Sequence, residues 1–282
     1  MNIAGAKHEL VELFQTAGID SPEANAEWLL AALLNCSRSE LPLRLDQALS
    51  SEQRKTLKAQ AERRAKREPL QHILGTACFC GLDFQTSREA LIPRPETEQL
   101  VELACEAVDA IPCPTIYDFG TGSGCIAITL AKRLAKTKII ASDISPNALR
   151  LAKANSQDHC VTSQIDFRQF DGMALAKGEQ VHLIVSNPPY IPTAEIAGLQ
   201  PEVREFDPHL ALDGGDDGLE FYRRLAVLGQ AALLSGGVLI AEFGDGQEGG
   251  IENIFSKAAW PSIKFAKDLC GKPRMVIASI RQ

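Results

Sequence analysis

The 282-residue sequence lacks any apolar run that approaches the length of a membrane span. Its first residues also lack the apolar core of a secretory signal peptide. These two absences predict a cytoplasmic protein with no membrane partner. Positive charge is not in excess either, because the formal net charge is −7. This balance argues against a broad nucleic-acid-binding surface.

Cysteine is present, but the spacing of a metal site or a redox pair is missing. None of the eight cysteines forms a CxxC pair, and Cys78 and Cys80 have neither zinc-finger spacing nor a second pair to complete a site. We therefore expect no metal. Because the chain is long and has no export signal, we expect reduced thiols, most of them buried as small hydrophobic groups. The eight are Cys36, Cys78, Cys80, Cys105, Cys113, Cys125, Cys160 and Cys270.

The composition is that of an ordinary globular protein, with 45% hydrophobic and 23% charged residues. The length allows one large or two modest domains with their own cores. Residues 1–70 predict helices, because Ser21 before Pro22 is typical of an N-cap and Ser51 begins a further helix. We interpret this small helical bundle as a substrate-recognition module.

Basic residues cluster on the last of these helices, between residues 52 and 68. One interpretation is a basic face for an acidic partner or RNA. The other, which we favour, is a solvated helix surface. The residues concerned are Arg54, Lys55, Lys58, Arg63, Arg64, Lys66 and Arg67.

Residues 71–94 change character. Apolar and aromatic residues on both sides of Gly81 predict a β-hairpin. The alternating prolines of residues 91–98 predict a stiff, extended connector that leads into a helix over residues 99–108. Arg94 in this connector is either a surface charge or a group that fixes the connector against the active site, and the sequence leaves both interpretations open.

A strand over residues 115–119, a glycine-rich turn and an apolar helix then follow one another. The turn is Gly120-Thr121-Gly122-Ser123-Gly124, whose glycines permit tight backbone geometry and close approach of a ligand. Asp143 ends the next strand, nineteen residues beyond Gly124, where a carboxylate can hydrogen-bond two ribose hydroxyls. The same pattern fits the dinucleotide fingerprint through Gly122, Gly124 and Ala127, so the glycines alone do not identify the cofactor.

The segment Asn187-Pro188-Pro189-Tyr190 ends a short strand of branched apolar residues, 181–185. The prolines stop the strand and hold the Asn187 amide stiffly at its carboxyl end, where open α/β sheets bind ligands. An Asn oxygen and a fixed backbone carbonyl can accept the two N–H groups of a planar NH2 and orient its nitrogen for attack, without a strong base. Tyr190 can pack on the flat face of this acceptor.

This segment and Asp118, two residues before the first glycine, favour S-adenosylmethionine as the cofactor. A third strand over residues 166–170 precedes Asp171, which either contacts an adenine amine or is a turn residue. Residues 191–218 form a long polar insertion, either a lid over the site or a surface loop. The remaining predicted elements are helices 219–234 and 246–258 and strands 237–243, 262–268 and 274–280, with a hairpin at residues 271–273 and one late antiparallel strand.

These motifs together resemble the release factor glutamine methyltransferases, the PrmC/HemK family, along nearly the whole chain. The matching segments are residues 68–75, 91–98, 118–124, 187–190 and 202–225. Asn-Pro-Pro-Tyr alone is shared with methyltransferases that act on adenine, cytosine and guanine amines. The Ile-Pro-Arg-Pro-Glu-Thr-Glu connector is much more discriminating.

The resemblance implies an α/β fold of the class I S-adenosylmethionine-dependent methyltransferases, Rossmann-like, with a mostly parallel seven-stranded sheet and an N-terminal helical bundle. It implies a recognition domain at residues 1–75, a hairpin and connector at 76–95 and a methyltransferase domain at 96–282. The implied reaction methylates the side-chain amide of the Gln in the Gly-Gly-Gln motif of peptide chain release factors and leaves S-adenosylhomocysteine. We infer in-line displacement at the sulfonium methyl, with proton loss afterwards.

The resemblance also implies roles for individual residues. Residues 120–124 would cradle the methionine part of the cofactor, Asp143 would hold its ribose, and Asp171 and Gly172 would lie by the adenine. Some relatives carry a Trp at the position of Gly172, so this chain departs from them there. In the implied acceptor site, Asn187 and the Pro188 carbonyl would orient the glutamine amide, and Asn187 would also border the cofactor. Pro189, Tyr190 and Arg94 would lie beside the amide.

Three other functions are alternatives. An exocyclic-amine methyltransferase acting on nucleic acid would use the same Asn187 segment, but the acidic balance speaks against it, and we expect no direct nucleic-acid substrate. An NAD-dependent dehydrogenase would need an acid or base near the fourth strand, where an Asn and two prolines stand instead. A scaffold without activity would tolerate the loss of Asn187.

Overall fold

The computed structural model describes residues 1–170, 175, 178–268 and 271–280. They form two compact units. The first comprises Met1–Thr76 together with Gln200–Phe206, and the second comprises Ala77–Leu199 and Asp207–Gln282. A short piece of the predicted insertion therefore belongs to the helical unit. No helix among the described residues is both long and apolar enough to cross a membrane.

The elements follow the predicted order. The helices are α1 (Ile3–Thr16), α2 (Pro22–Leu33), α3 (Ser51–Ala65), α4 (Leu70–Leu74), α5 (Glu98–Val108), α6 (Cys125–Arg133), α7 (Pro146–Asp158), α8 (Pro201–Arg204), α9 (Glu220–Ala232) and α10 (Glu248–Lys257). The strands are β1 (Thr76–Phe79), β2 (Leu82–Gln85), β3 (Thr115–Phe119), β4 (Lys138–Asp143), β5 (Ile165–Gln169), β6 (Val181–Ser186), β7 (Leu233–Glu242), β8 (Ser262–Lys267) and β9 (Pro273–Ser279). Strand β7 begins four residues earlier than predicted.

The first unit is helical, with a core that includes the fully buried Phe14, Leu29 and Leu30. Ser21 directly precedes α2 as predicted, but its side chain makes no capping hydrogen bond. The reason is its backbone, which has a φ of 52° and is left-handed, whereas a capping hydroxyl needs extended backbone.

An ion cluster around the buried Arg64 lies in this helical unit. Nη1 of Arg64 lies 3.0 Å from Oε1 of Glu202, and Nη2 of Arg67 lies 2.7 Å from Oε2 of the same carboxylate. Nε of Arg64 also donates to Oδ1 of Asn25 at 2.8 Å. Burial lowers the pKa of Arg64. The basic segment is therefore not a uniform solvated face, because two of its cations bind one residue of the insertion, Glu202.

The second unit contains a seven-stranded sheet with the order β5-β4-β3-β6-β7-β9-β8. The pairs from β5 to β7 are all parallel, and β9 runs antiparallel to both β7 and β8. The predictions of a mostly parallel sheet and of one late antiparallel strand are confirmed. Parallel pairing requires helical crossovers, and these cover both faces of the sheet.

Successive residues of the central strands supply two different cores, because side chains alternate across a sheet. Ile116 packs on one face with α5 and α6, and Tyr117 packs on the other with α9 and α10. Leu183 and Ile184 of β6 alternate in the same way, and both are fully buried. Only the ends of these strands can therefore present polar groups to a ligand.

The predicted hairpin is present as the two-stranded β1–β2 sheet. Its turn residues, Cys80 and Gly81, have φ values of 51° and 75°, as the common two-residue hairpin turn requires.

The ends of the long insertion also pair, since Ile191 N donates to Leu212 O at 3.0 Å and Gly214 N donates to Ile191 O at 2.9 Å. The insertion is a closed loop with short helical turns.

The expectation that most cysteines are buried is wrong for the part of the chain that the structure describes. Cys125 is buried, whereas Cys78, Cys113 and Cys160 are exposed, and the seven described thiols are free. Cys160 shows the reason, because it follows the end of α7 with a φ of 57°, in a surface turn. Cys270 lies outside the described residues.

We expect Glu202→Ala to lower the free energy of unfolding of the helical unit by about 2–4 kcal/mol, because the buried Arg64 loses its carboxylate partner. Urea unfolding followed by the fluorescence of Trp28, in a Trp260→Phe background, measures it. Glu205→Ala is the matched control: Glu205 is an exposed partner of Arg204, so its loss should cost under about 1 kcal/mol. Equal losses for the two variants would contradict the stabilising role of the cluster.

Candidate active site

The site lies where the strand order of the sheet reverses. Strand β3 pairs with β4 on one side and with β6 on the other, and such switch points leave a crevice at the carboxyl ends of the strands. A pocket of about 200 Å³ opens there. The residues that line it are Glu89–Arg94 without a gap, Thr97, Phe119–Ser123, Cys125, Ile126, Ser142–Ser145, Ala148, Phe170, Asn187, Pro189, Pro208, Leu210, Ala211 and Phe221.

The glycine-rich turn follows β3. Gly120 N and Thr121 N both donate to Ser142 O, at 2.9 and 2.8 Å, which ties the turn to the end of β4. Gly120, Gly122 and Gly124 all have positive φ, which only glycine adopts without strain. A Cβ on Gly124 would lie 3.0 Å from Ile128 and 3.1 Å from Ala152, whereas a Cβ on Gly120 would meet nothing within 4 Å. Gly124 therefore serves packing, and Gly120 leaves space at the pocket.

Asp118 lies beneath this turn and is fully buried. Its Oδ2 accepts a hydrogen bond from Oγ1 of Thr121 at 2.7 Å. Burial raises the pKa of Asp118 to about 7, although the Thr121 hydroxyl opposes the shift. The carboxyl supports the turn from below and does not line the pocket.

Asp143 ends β4 and lines the pocket. Its Oδ2 accepts from Gly122 N and its Oδ1 accepts from Ser145 N, both at 2.9 Å. Burial raises the pKa of Asp143, and these backbone donors oppose the shift. Each carboxylate oxygen retains a second lone pair. Asp143, which was predicted to bind a ribose, thus also links the glycine-rich turn to the start of α7.

The placement of Asp171 and Gly172 beside an adenine stays a prediction. Asp171 and Gly172 lie outside the described residues. Phe170 and Ile144 line the pocket and remain 53% and 46% exposed, so large apolar groups face it. Both directly follow the ends of neighbouring strands, and that position at the carboxyl edge was the sequence signal that we missed.

Asn187 follows β6 and lines the pocket. Its Nδ2 donates to Oγ1 of Thr97 at 3.0 Å, and that hydroxyl donates to Oε2 of Glu242 at 2.7 Å. Thr97 and Glu242 are 2% and 3% exposed. Burial raises the pKa of Glu242 to about 7. Neither Thr97 nor Glu242 was singled out from the sequence, because only the folded chain brings residues 145 positions apart together.

The other residues of the Asn-Pro-Pro-Tyr segment are placed differently. Pro189 lines the pocket, while Pro188 and Tyr190 are not among its described lining residues. The Tyr190 ring packs beside Gly244, where a Cβ would lie 2.9 Å from the ring, and Tyr190 O accepts from Nε2 of Gln247 at 2.8 Å. Burial raises the pKa of Tyr190 to about 12. The role of Tyr190 toward the acceptor stays a prediction.

Arg94 lines the pocket and is paired. Its Nη2 lies 2.7 Å from Oδ2 of Asp207, whose side chain is only 1% exposed. Burial raises the pKa of Asp207 to about 6, and the Arg94 cation opposes the shift. The pair joins the connector to the segment that begins at Asp207, as expected if Arg94 fixes the connector. The described residues contain no group of three or more His, Cys, Asp or Glu side chains placed to hold a metal ion.

Two family models match the chain. The PrmC N-terminal domain matches residues 6–75, and the methyltransferase small domain matches residues 101–199. The release factor glutamine methyltransferase of Geobacter sulfurreducens is 42% identical over 262 residues, which cover 92% of this chain and 90% of that protein. The protein of the same name from Cereibacter sphaeroides is 39% identical and covers 99% of both chains.

Solved structures share the fold. The hMettl16 catalytic domain in complex with MAT2A 3′UTR hairpin 1 has a TM-score of 0.60 at 15% identity, over 85% of this chain and 84% of that one. A methyltransferase from Pyrococcus furiosus has a TM-score of 0.52 at 16% identity, over 83% of this chain and 100% of that one. At such identities the likeness shows the methyltransferase fold alone.

Two glycine substitutions should separate packing from ligand access. Gly124→Ala should lower the free energy of unfolding by about 2–4 kcal/mol, because strain at positive φ adds to crowding by Ile128 and Ala152. Gly120→Ala introduces the strain at positive φ without crowding, so it should lower the free energy of unfolding by only about 1–2 kcal/mol. Its main effect should be weaker binding of S-adenosylmethionine. Thermal unfolding and titration calorimetry measure both, and a Gly124→Ala protein as stable as Gly120→Ala would contradict this assignment.

Asp118→Asn should flatten the dependence of stability on pH. The pKa of Asp118 is raised above its ordinary value of 3.8 to about 7, so the fold favours the protonated carboxyl. Its contribution to stability is therefore complete below pH 3.8 and is lost as the pH rises through 7. Between these values the group lowers stability by up to about 1.4 kcal/mol per pH unit. Denaturant unfolding of both proteins from pH 5 to 8 measures the difference, and parallel curves would show that the carboxyl titrates normally.

Proposed function

Because the chain belongs to the family of release factor glutamine methyltransferases, we propose that it methylates the side-chain amide nitrogen of the glutamine in the Gly-Gly-Gln motif of peptide chain release factors. The methyl donor in this proposal is S-adenosylmethionine, and S-adenosylhomocysteine is the product. The observation that carries the proposal is the Asn187 amide, held by Thr97 at the pocket where the strand order reverses. Since release factors act on ribosomes, we place the reaction in the cytoplasm.

The residues at the pocket fit this cofactor. Gly120 and Gly122 have positive φ, and a Cβ on Gly120 would point into open space, so the turn leaves room for a ligand close to its backbone. The Asp143 carboxylate suits a pair of ribose hydroxyls. Phe170 and Ile144 offer apolar surface for a flat base. When bound, S-adenosylmethionine supplies an electrophilic methyl group on a positively charged sulfur.

The acceptor side fits a primary amide. With Nδ2 of Asn187 engaged by Thr97, Oδ1 is the atom left to accept an N–H of the substrate glutamine. The Pro188 carbonyl, on a backbone stiffened by two prolines, accepts the second N–H in this proposal. The two acceptors orient the nitrogen lone pair toward the methyl group, so proximity and fixed dipoles lower the barrier.

We expect Asn187→Ala to reduce methyl transfer by about 100-fold or more, because the amide nitrogen is no longer oriented, while the affinity for S-adenosylmethionine stays near normal. The measurement uses the purified protein, S-adenosylmethionine and a bacterial release factor, with peptide mass spectrometry to locate the methyl group. One methyl on the Gln of Gly-Gly-Gln with the unaltered protein, absent with Asn187→Ala, is the expected result.

Asp143→Ala is the matched control, because it should weaken cofactor binding instead. Its carboxylate also holds Gly122 N and Ser145 N, so high cofactor concentration should restore only part of the rate. Parallel reactions contain RNA or DNA in place of the release factor. Full turnover by Asn187→Ala would refute the role of this residue, and methyl groups entering nucleic acid but no protein would favour the exocyclic-amine methyltransferase.

A further inference from the structure

We propose that Thr97 and Glu242 decide which end of the Asn187 amide faces the bound glutamine, and that they are therefore positioning residues for the transfer step. The inference rests on the proposed function. Neither residue touches the reacting atoms in this scheme. They act through Asn187, by a chain of two hydrogen bonds.

The series of two hydrogen bonds has a direction, because the Thr97 hydroxyl has only one proton to donate. Oγ1 of Thr97 lies 2.7 Å from Oε2 of Glu242 and donates its proton there, since an ionised carboxylate only accepts. The Thr97 oxygen can then only accept from Asn187, whose Nδ2 lies 3.0 Å away. Nδ2 is thereby held toward Thr97, and Oδ1 is the end that remains for the substrate.

The direction matters because the two ends of an amide have nearly the same shape. In the reversed orientation, the NH2 of Asn187 would face the NH2 of the substrate glutamine. Two donors would then confront each other, no hydrogen bond would form, and the substrate nitrogen would lose its orientation. A fixed acceptor behind Asn187 prevents this reversal.

The sheet register places the three residues together. Ser186 pairs with Ala241 across the parallel strands β6 and β7, so the following residues, Asn187 and Glu242, are neighbours at the carboxyl edge. Thr97 lies in the proline-rich connector, residues 91–98, and contacts both of them. The Tyr222 hydroxyl donates to the backbone oxygen of Glu242 at 2.6 Å and anchors the end of β7.

Burial also points to a functional role for the pair. Thr97 is 2% and Glu242 is 3% exposed, and burying a carboxyl group costs stability that an apolar residue would not. The pKa of Glu242 is raised to about 7, first by burial and also by Glu96, while Arg274 and Arg94 oppose the shift. The charge of Glu242 in turn helps to raise the pKa of Tyr190. A protonated Glu242 could donate to Thr97 and reverse the chain.

The test compares two substitutions at one position. Thr97→Val keeps the shape and removes the hydroxyl, whereas Thr97→Ser keeps the hydroxyl. We expect Thr97→Val to lower kcat for release factor methylation by about 10-fold to 100-fold, with Kd for S-adenosylmethionine unchanged, and Thr97→Ser to retain most of the rate. Thr137→Val controls for loss of a buried hydroxyl, because Thr137 donates to Pro114 O, at 2.9 Å, and does not line the pocket.

Glu242→Gln supplies a second, independent readout. Because the ionised carboxylate sets the direction, kcat of the unaltered protein should rise as the pH passes through about 7, and Glu242→Gln should lose that rise. Asp118 and Asp207 titrate in the same range and are unchanged in both proteins, so only the difference between the profiles is attributed to Glu242.

The outcomes separate this inference from the function on which it rests. An unaltered protein that methylates no release factor would reject both. An active protein with Thr97→Val at full kcat, or with Thr97→Ser as impaired as Thr97→Val, would reject the positioning role alone. Should Thr97→Val fail to fold, an unchanged pH profile in Glu242→Gln would still overturn the inference.

Discussion

The parallel register between β3 and β6 is the constraint on which the site depends. Phe119 lies opposite Ser186, and the Ser186 hydroxyl donates to Phe119 O at 2.8 Å. Gly120 and Asn187, which follow these residues, therefore leave the sheet side by side. A shift by one residue would turn Asn187 into a core face, because side chains alternate along a strand. The buried apolar residues of both strands prevent that shift.

Three buried carboxyl groups near the pocket weaken the fold. Asp118, Asp207 and Glu242 are buried carboxyl groups whose pKa values are raised by burial to about 7, about 6 and about 7. In each case hydrogen bonds or a cation oppose the rise in pKa. An apolar residue would still stabilise such a core position better. Each of the three accepts a hydrogen bond from a residue that lines the pocket, namely Thr121, Arg94 or Thr97. A site under functional constraint is expected to show such buried groups, because they orient its residues at a cost in stability.

Local sequence signals predicted the secondary-structure elements and those residues of the candidate site that directly follow or end strands. Prolines, glycines and branched apolar runs act over a few residues, so the Asn187 segment, the glycine-rich turn and Asp143 were found at their strand ends. Signals between distant residues were not available. Thr97 and Glu242, or Arg64 and Glu202, meet only after folding, at separations of 145 and 138 residues. The assignment of residues 200–206 to the helical unit was invisible for the same reason.

The character of the pocket explains how an amide can react without a strong base. Among the described lining residues, the titratable side chains are Glu89, Arg94, Cys125 and Asp143. Arg94 is paired with Asp207, burial raises the pKa of Cys125 to about 12, and Asp143 is held by backbone N–H groups. An N-alkylated amide cation is a strong acid and loses its proton to water. In the proposed reaction the protein has to supply orientation before transfer, and a fixed Asn amide suits that role where a charged base would not.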